Sequence, residues 1–197
     1  DSTVVEVQAM KAMFRKLQDE QPIDLMLNNH SQLAGCAIYW MHTSSSTSTE
    51  YLRKQWVLAG LSCSFNPYMN PNEMLFSDMA PRYAEGWFWN NVGEECVAIT
   101  LETPYTYYSF NQDGEWVDDS NLKHFGERLL DAVAEYFGLS TPGRILIENP
   151  DNPKGWTALS NQTTAFMGES GWSATMLGSK MIYKADVVEA GEYELYR

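Results

Sequence analysis

Near the start of the chain Val7, Met10, Phe14 and Leu17 recur at helical spacing, and Thr3 with Glu6 three positions later forms a capping box. The pattern predicts an amphipathic helix over 3–18. After Gln21 and Pro22 comes a short apolar run, Ile23-Asp24-Leu25-Met26-Leu27, of strand type, which stops at the polar segment Asn28-Asn29-His30-Ser31-Gln32. A second strand is predicted over 36–41. The polar stretch 43–49 reads as a loop that ends as the cap of a helix over 49–60. Residues 64–95 hold Pro67, Pro71, Pro81, Gly86 and Gly93 among many aromatics, the composition of a long packed loop rather than a regular element.

The continuous apolar run 96–101 is the pattern of a buried strand, and it leads into Glu102-Thr103-Pro104, where Pro104 lacks a backbone donor and helps end the ladder. Asp118-Asp119-Ser120 opens a further helix that carries Leu122, Phe125, Leu129, Val133 and Phe137 on one face, with Gly138 as its stop. Helices alternating with buried strands predict an α/β fold over 1–142, with helix–sheet–helix layers around a mixed sheet. The character changes after Pro142. Residues 145–148 could form one more strand, 149–153 read as a turn or linker, and short alternating runs follow at 172–176, 180–184 and 192–196. Residues 143–197 therefore read as a linker and the beginning of a β-sandwich-like module. No internal repeat is visible.

Composition narrows the function classes. The 197 residues include 44% hydrophobic and 13% aromatic residues, enough for a buried core and against wholesale disorder. Asp and Glu number 26 against 13 Lys and Arg, a net charge of −13 that suits the phosphate backbone of nucleic acid poorly. The excess is concentrated in 61–140, where 13 acids meet 3 bases. That stretch reads as solvated surface or as an acidic rim around a cation or cationic substrate. The apolar runs fall far short of the roughly 20 residues a membrane-spanning helix needs, and no basic-then-apolar leader opens the sequence. Cys36, Cys63 and Cys96 lie far apart without CxxC spacing, which argues for small core residues over a zinc ribbon, redox pair or disulfide framework.

Two positions carry chemistry. His30 follows a buried strand, where α/β sheets place their ligand sites and where a neutral imidazole suits a divalent metal. Glu102 ends the run Val97-Ala98-Ile99-Thr100-Leu101, a half-buried setting that favours a general base. Structural roles, a satisfied histidine and a solvent-facing glutamate, stand beside these readings. His124 and Glu127 form a His-x-x-Glu on a helix, but Phe125 and Leu129 define its apolar face, so the pair reads as a solvated flank. No HExxH, P-loop, GxGxxG or GxSxG motif is present. Trp156 and Trp172 in the tail read as core residues or as sugar- or peptide-facing platforms.

Two of these segments together resemble the second half of a zinc carboxypeptidase domain. Leu25-Met26-Leu27-Asn28-Asn29-His30-Ser31-Gln32 is similar to the strand that delivers that family's last zinc-binding histidine, and Val97-Ala98-Ile99-Thr100-Leu101-Glu102-Thr103 to the strand that carries its catalytic glutamate. Their order and separation, the helix before His30 and the long helix at 119–137 also match. Trp87-Phe88-Trp89-Asn90-Asn91 resembles the family's aromatic, asparagine-containing turn. The resemblance covers 3–140. It implies an α/β metallocarboxypeptidase-like hydrolase acting on peptide or cell-wall peptide substrates. His30 would be a Zn2+ ligand, Glu102 the base that activates the attacking water and then protonates the leaving amine, and Tyr83 the substrate-covering tyrosine.

The family's upstream His-x-x-Glu zinc pair and its carboxylate-gripping arginines have no counterpart in the 29 residues before His30. Catalytic zinc ordinarily takes three protein ligands. The expectation is a carboxy-terminal piece of a larger enzyme, inactive without its N-terminal half. The tail resembles accessory modules of secreted hydrolases, which implies a secreted or periplasmic protein. Two alternatives stay open: a deacylase of the aspartoacylase or desuccinylase type, and a non-catalytic binding module on the same scaffold.

Overall fold

The computed structural model describes residues 4–109, 114–139, 156–159 and 171–174. The elements run α1 (Val5–Glu20), β1 (Leu25–Gln32), β2 (Ile38–His42), α2 (Thr49–Phe65), β3 (Leu75–Ser77), α3 (Ala84–Asn91), β4 (Val97–Pro104), β5 (Tyr107–Tyr108), β6 (Glu115–Trp116), α4 (Asp119–Tyr136), β7 (Trp156–Leu159) and β8 (Gly171–Ala174). Four helices and a four-stranded mixed sheet of order β1-β4-β2-β3 bear out the α/β expectation. β1 runs parallel to β4, β2 runs antiparallel to β4, and β3 runs parallel to β2. The short pairs β5-β6 and β7-β8 are each antiparallel.

The sheet is covered on both faces, because its central strand is apolar on both. Residues 97, 99 and 101 of β4 point to a large core with Tyr39 and Met41 of β2, Leu52 and Leu58 of α2, and Phe125 of α4. Cys96 and Ala98 point the other way, to Trp87 and Phe88 of α3, with Met26 of β1 and Phe14 of α1 packed against them. Phe14 meets the rings of Trp87 and Phe88 at 5.3 and 5.0 Å between centroids. The expected helix–sheet–helix layering follows. Burying a side chain such as Ile99 fully contributes about 1.5–3 kcal/mol.

Where β2 and β4 part company, α2 completes their backbone pairing. The ladder joins Ile38, Tyr39 and Trp40 to Glu102, Leu101 and Thr100. Beyond it, the Tyr51 hydroxyl accepts from the Ala98 amide at 2.9 Å and donates to the Ala98 carbonyl at 3.1 Å. Gln55 does the same for His42, accepting its amide at 2.7 Å and donating to its carbonyl at 3.1 Å. Two buried side chains thus satisfy four backbone groups that would otherwise be costly to bury. Ser48 caps α2, its hydroxyl accepting from the Tyr51 amide. Asp118 and Asn121 cap α4 reciprocally, and Gly138 at φ +65° ends that helix in the left-handed conformation.

The described first helix begins at Val5, and Thr3 of the expected capping box lies outside the described residues. Three expectations need correction. The first strand does not stop at the polar segment but continues through Gln32, because its ladder with β4 needs only backbone groups. Residues 64–95 are not one loop, since β3 and α3 fall within them; β3 adds to the sheet edge and α3 packs its aromatics on β4. For the same reason Trp87-Phe88-Trp89-Asn90-Asn91 is helix rather than turn. The strand expected at 145–148, the linker at 149–153, and the runs at 180–184 and 192–196 lie outside the described residues, while 172–174 fall in β8.

β1 stands at an edge of the sheet. Among the described residues no strand pairs with its far side. The covering helix α1 buries none of its residues fully and leaves Met10, Met13 and Leu17 exposed. No described helix is long and apolar enough to cross a membrane.

Candidate functional site

The ladder between β1 and β4 sets the site. It pairs Asn28 with Thr100 and His30 with Glu102. Side chains alternate along a strand, so these four lie on one face of the sheet, the face of Met26 and Ala98 under α3. Neighbouring strands are about 4.8 Å apart, and both run the same way. His30 and Glu102 therefore sit side by side at the carboxyl ends of two parallel strands, where open α/β sheets place ligands. His30 is exposed and Glu102 half-buried.

The hydrogen bonding runs inward from His30. Its Nε2 lies 3.1 Å from Asn28 Oδ1, and Asn28 Nδ2 donates to Glu85 Oε1 at 2.9 Å. The Thr100 hydroxyl donates to the same Glu85 oxygen. Glu85 belongs to the first turn of α3 and is only 2% exposed. Two side-chain donors and the positive end of a helix accommodate its carboxyl group there. The sequence reading passed over Glu85, Asn28 and Thr100. Asn28 and Thr100 were findable, since each precedes a candidate residue by two and shares its face. Glu85 carried no sequence signal, because it lies in the aromatic stretch that reads as loop.

Gly86 fixes where α3 sits. A Cβ on it would lie 2.0 Å from the Ala80 carbonyl oxygen and 2.7 Å from its carbon, so only glycine lets the helix start pass that close to the preceding backbone.

The remaining candidates divide. Tyr83 is the N-cap residue of α3, two positions before Glu85, and is 45% exposed. Its hydroxyl accepts from Arg82 at 2.8 Å, and the same guanidinium lies 4.9 Å from its ring centroid. No hydrogen bond among the described residues ties it to His30 or Glu102. His124 and Glu127 are exposed on α4, which packs on the opposite face of the sheet, with the His124 ring edge-on to Tyr68 at 5.8 Å. They cannot join His30. The cysteines are unpaired thiols. Burial pushes Cys36 up to about 11, and Cys63 and Cys96 up to about 12, which leaves them protonated and inert. A cavity of about 370 Å³ lies at the amino ends of β1 and β4, lined by Asp24, Arg53, Lys54 and Tyr136, away from His30 and Glu102.

As donors, an accessible imidazole beside a carboxylate suits zinc in kind. In number they fall short, since the described residues contain no group of three His, Cys, Asp or Glu able to hold a metal ion. No protein-family model matches the chain, and no curated protein matches it either.

Proposed function

We propose that the chain is the rear half of a zinc carboxypeptidase-like hydrolase domain acting on peptide amide bonds. The register that sets His30 against Glu102 at the carboxyl ends of parallel strands carries this reading. In it, His30 contributes one imidazole to the metal site. A Glu102 oxygen takes the proton of the attacking water and returns it to the leaving nitrogen. Zinc, when bound, supplies Lewis-acid polarisation of the carbonyl and a more acidic water. Tyr83, at the head of α3, covers the substrate. The missing ligands come from a segment outside this chain.

The side of β1 that no described strand pairs with supports that division. An eight-residue parallel strand whose only ionisable side chain is His30 is the kind that sheets keep inside, and solvent-facing edges are ordinarily shortened or charged. The preceding half of the domain would continue the sheet there and cover the exposed apolar residues of α1. The accessory-like tail goes with a secreted or periplasmic protein.

The shortfall of ligands is the observation that favours a second reading, a binding module without catalysis. Substrate panels separate the classes in the longer protein. Release of a terminal amino acid from peptides with a free, but not an amidated, carboxyl end supports the carboxypeptidase reading. Hydrolysis confined to N-acyl amino acids supports the deacylase. Binding without turnover supports the module.

A further inference from the structure

Glu85 is a buried carboxyl group that takes part in none of the ion pairs found among the described residues. Burying a charge without a cation is expensive, and an apolar side chain would pack beneath α3 more cheaply. Its two side-chain donors, Asn28 and Thr100, are the register neighbours of His30 and Glu102 on their own strands. The group therefore sits two residues inward of the candidate site and is linked to it through a single amide.

We infer that Glu85, acting through Asn28, is a positioning residue that fixes the tautomer of His30. The directions of the bonds force the assignment. A carboxylate only accepts, so the Asn28 amide must turn its NH2 toward Glu85. That leaves Oδ1 facing the imidazole, 3.1 Å from Nε2. A carbonyl oxygen also only accepts, so Nε2 carries the proton. The Nδ1 lone pair is then the one His30 can offer to a cation. The Thr100 hydroxyl, donating to the same Glu85 oxygen, holds the carboxylate in place from β4. The relay rests on the reading of His30 as a ligand. It adds which nitrogen binds and which buried groups make that nitrogen available. Supporting bonds of this kind change metal affinity by about 10- to 100-fold.

The test needs no metal. The 197-residue chain is labelled with 15N-histidine, and long-range proton–nitrogen correlations are recorded at about pH 8, above the ordinary imidazole range. The wild-type chain should show His30 as a single Nε2–H tautomer. Asn28→Ala and Glu85→Gln should each convert that signature to a mixture, because neither leaves an obligatory direction in the chain of bonds. A wild-type His30 protonated on Nδ1, or mixed, overturns the relay whether or not the variants fold. So does an unmoved signature in a variant that keeps the wild-type circular dichroism and melting. A held Nε2–H tautomer together with full zinc content after His30→Ala in the longer protein would sink the ligand reading and leave the relay standing. A lost zinc with a mixed wild-type tautomer would do the reverse.

Discussion

His30 and Glu102, far apart in the chain, are Cα partners across the parallel ladder of β1 and β4. Partnership in a parallel ladder puts two side chains on one face at one level, so the only further requirement for a joint site is that both lie at the strands' carboxyl ends. They do, and no hydrogen bond or ion pair among the described residues engages the Glu102 carboxylate.

With this chain joined to the preceding half proposed for it, Glu102→Gln should lower kcat by about 10²- to 10⁴-fold, the range for losing a general base. Metal content and melting temperature should stay as in the wild type, because the amide keeps the side chain's shape. Steady-state kinetics alongside elemental analysis read both. Undiminished turnover would remove Glu102 from the chemistry.

Tyr51→Phe should destabilise the chain by about 1–3 kcal/mol, the cost of leaving a buried backbone group unpaired. The lost hydroxyl serves both the amide and the carbonyl of Ala98, between the core residues Val97 and Ile99 of β4. Urea denaturation reads the difference. An unchanged midpoint would mean that another group replaces it.

How much of this was legible beforehand depends on which force decides each element. The buried strand expected at 96–101, which begins one residue later as β4, the capped helix from Asp119 and the loop ahead of α2 follow from local pattern, and they stand. β1 was cut short because Asn28 to Gln32 are polar, whereas its backbone ladder with β4 carries it on. α3 was missed because its eight residues include Gly86 and three bulky aromatics, poor helix formers that tertiary packing holds in place. Glu102 and His30 were visible as strand ends. Their register was not, since no local signal says which strands pair. Glu85 was invisible for the same reason: its meaning comes from two strands that lie far from it in sequence.

Gly86→Ala should cost about 1–3 kcal/mol, the usual range for overpacking, because the new methyl would meet the Ala80 carbonyl. The head of α3 must then move, and Glu85 with it. Denaturation and the His30 nitrogen signature should change together. A variant as stable as the wild type would mean that the preceding backbone yields freely.

Stability should fall as the solution is acidified below about pH 6.5, the ordinary histidine value. His42 is 3% exposed, its Nε2 has no hydrogen-bond partner among the described residues, and burial holds its pKa below that value despite the nearby Glu85 and Asp78. A depressed pKa means that the unfolded chain binds the extra proton first. The neutral ring's contribution is therefore complete above the unfolded value and is lost as pH falls through the folded one. Glu50, held low by Arg53, adds a loss of the same sign below the ordinary glutamate range. His42→Phe should flatten the first window and leave the second. An unaltered pH profile in that variant would contradict the assignment.

The most direct measurement is the zinc content of this chain joined to the preceding half proposed for it, by elemental analysis after exhaustive dialysis, with and without His30→Ala. The account predicts one zinc per chain in the wild type and its loss in the variant, with the fold retained by circular dichroism. Stoichiometric zinc in the His30→Ala protein would contradict it.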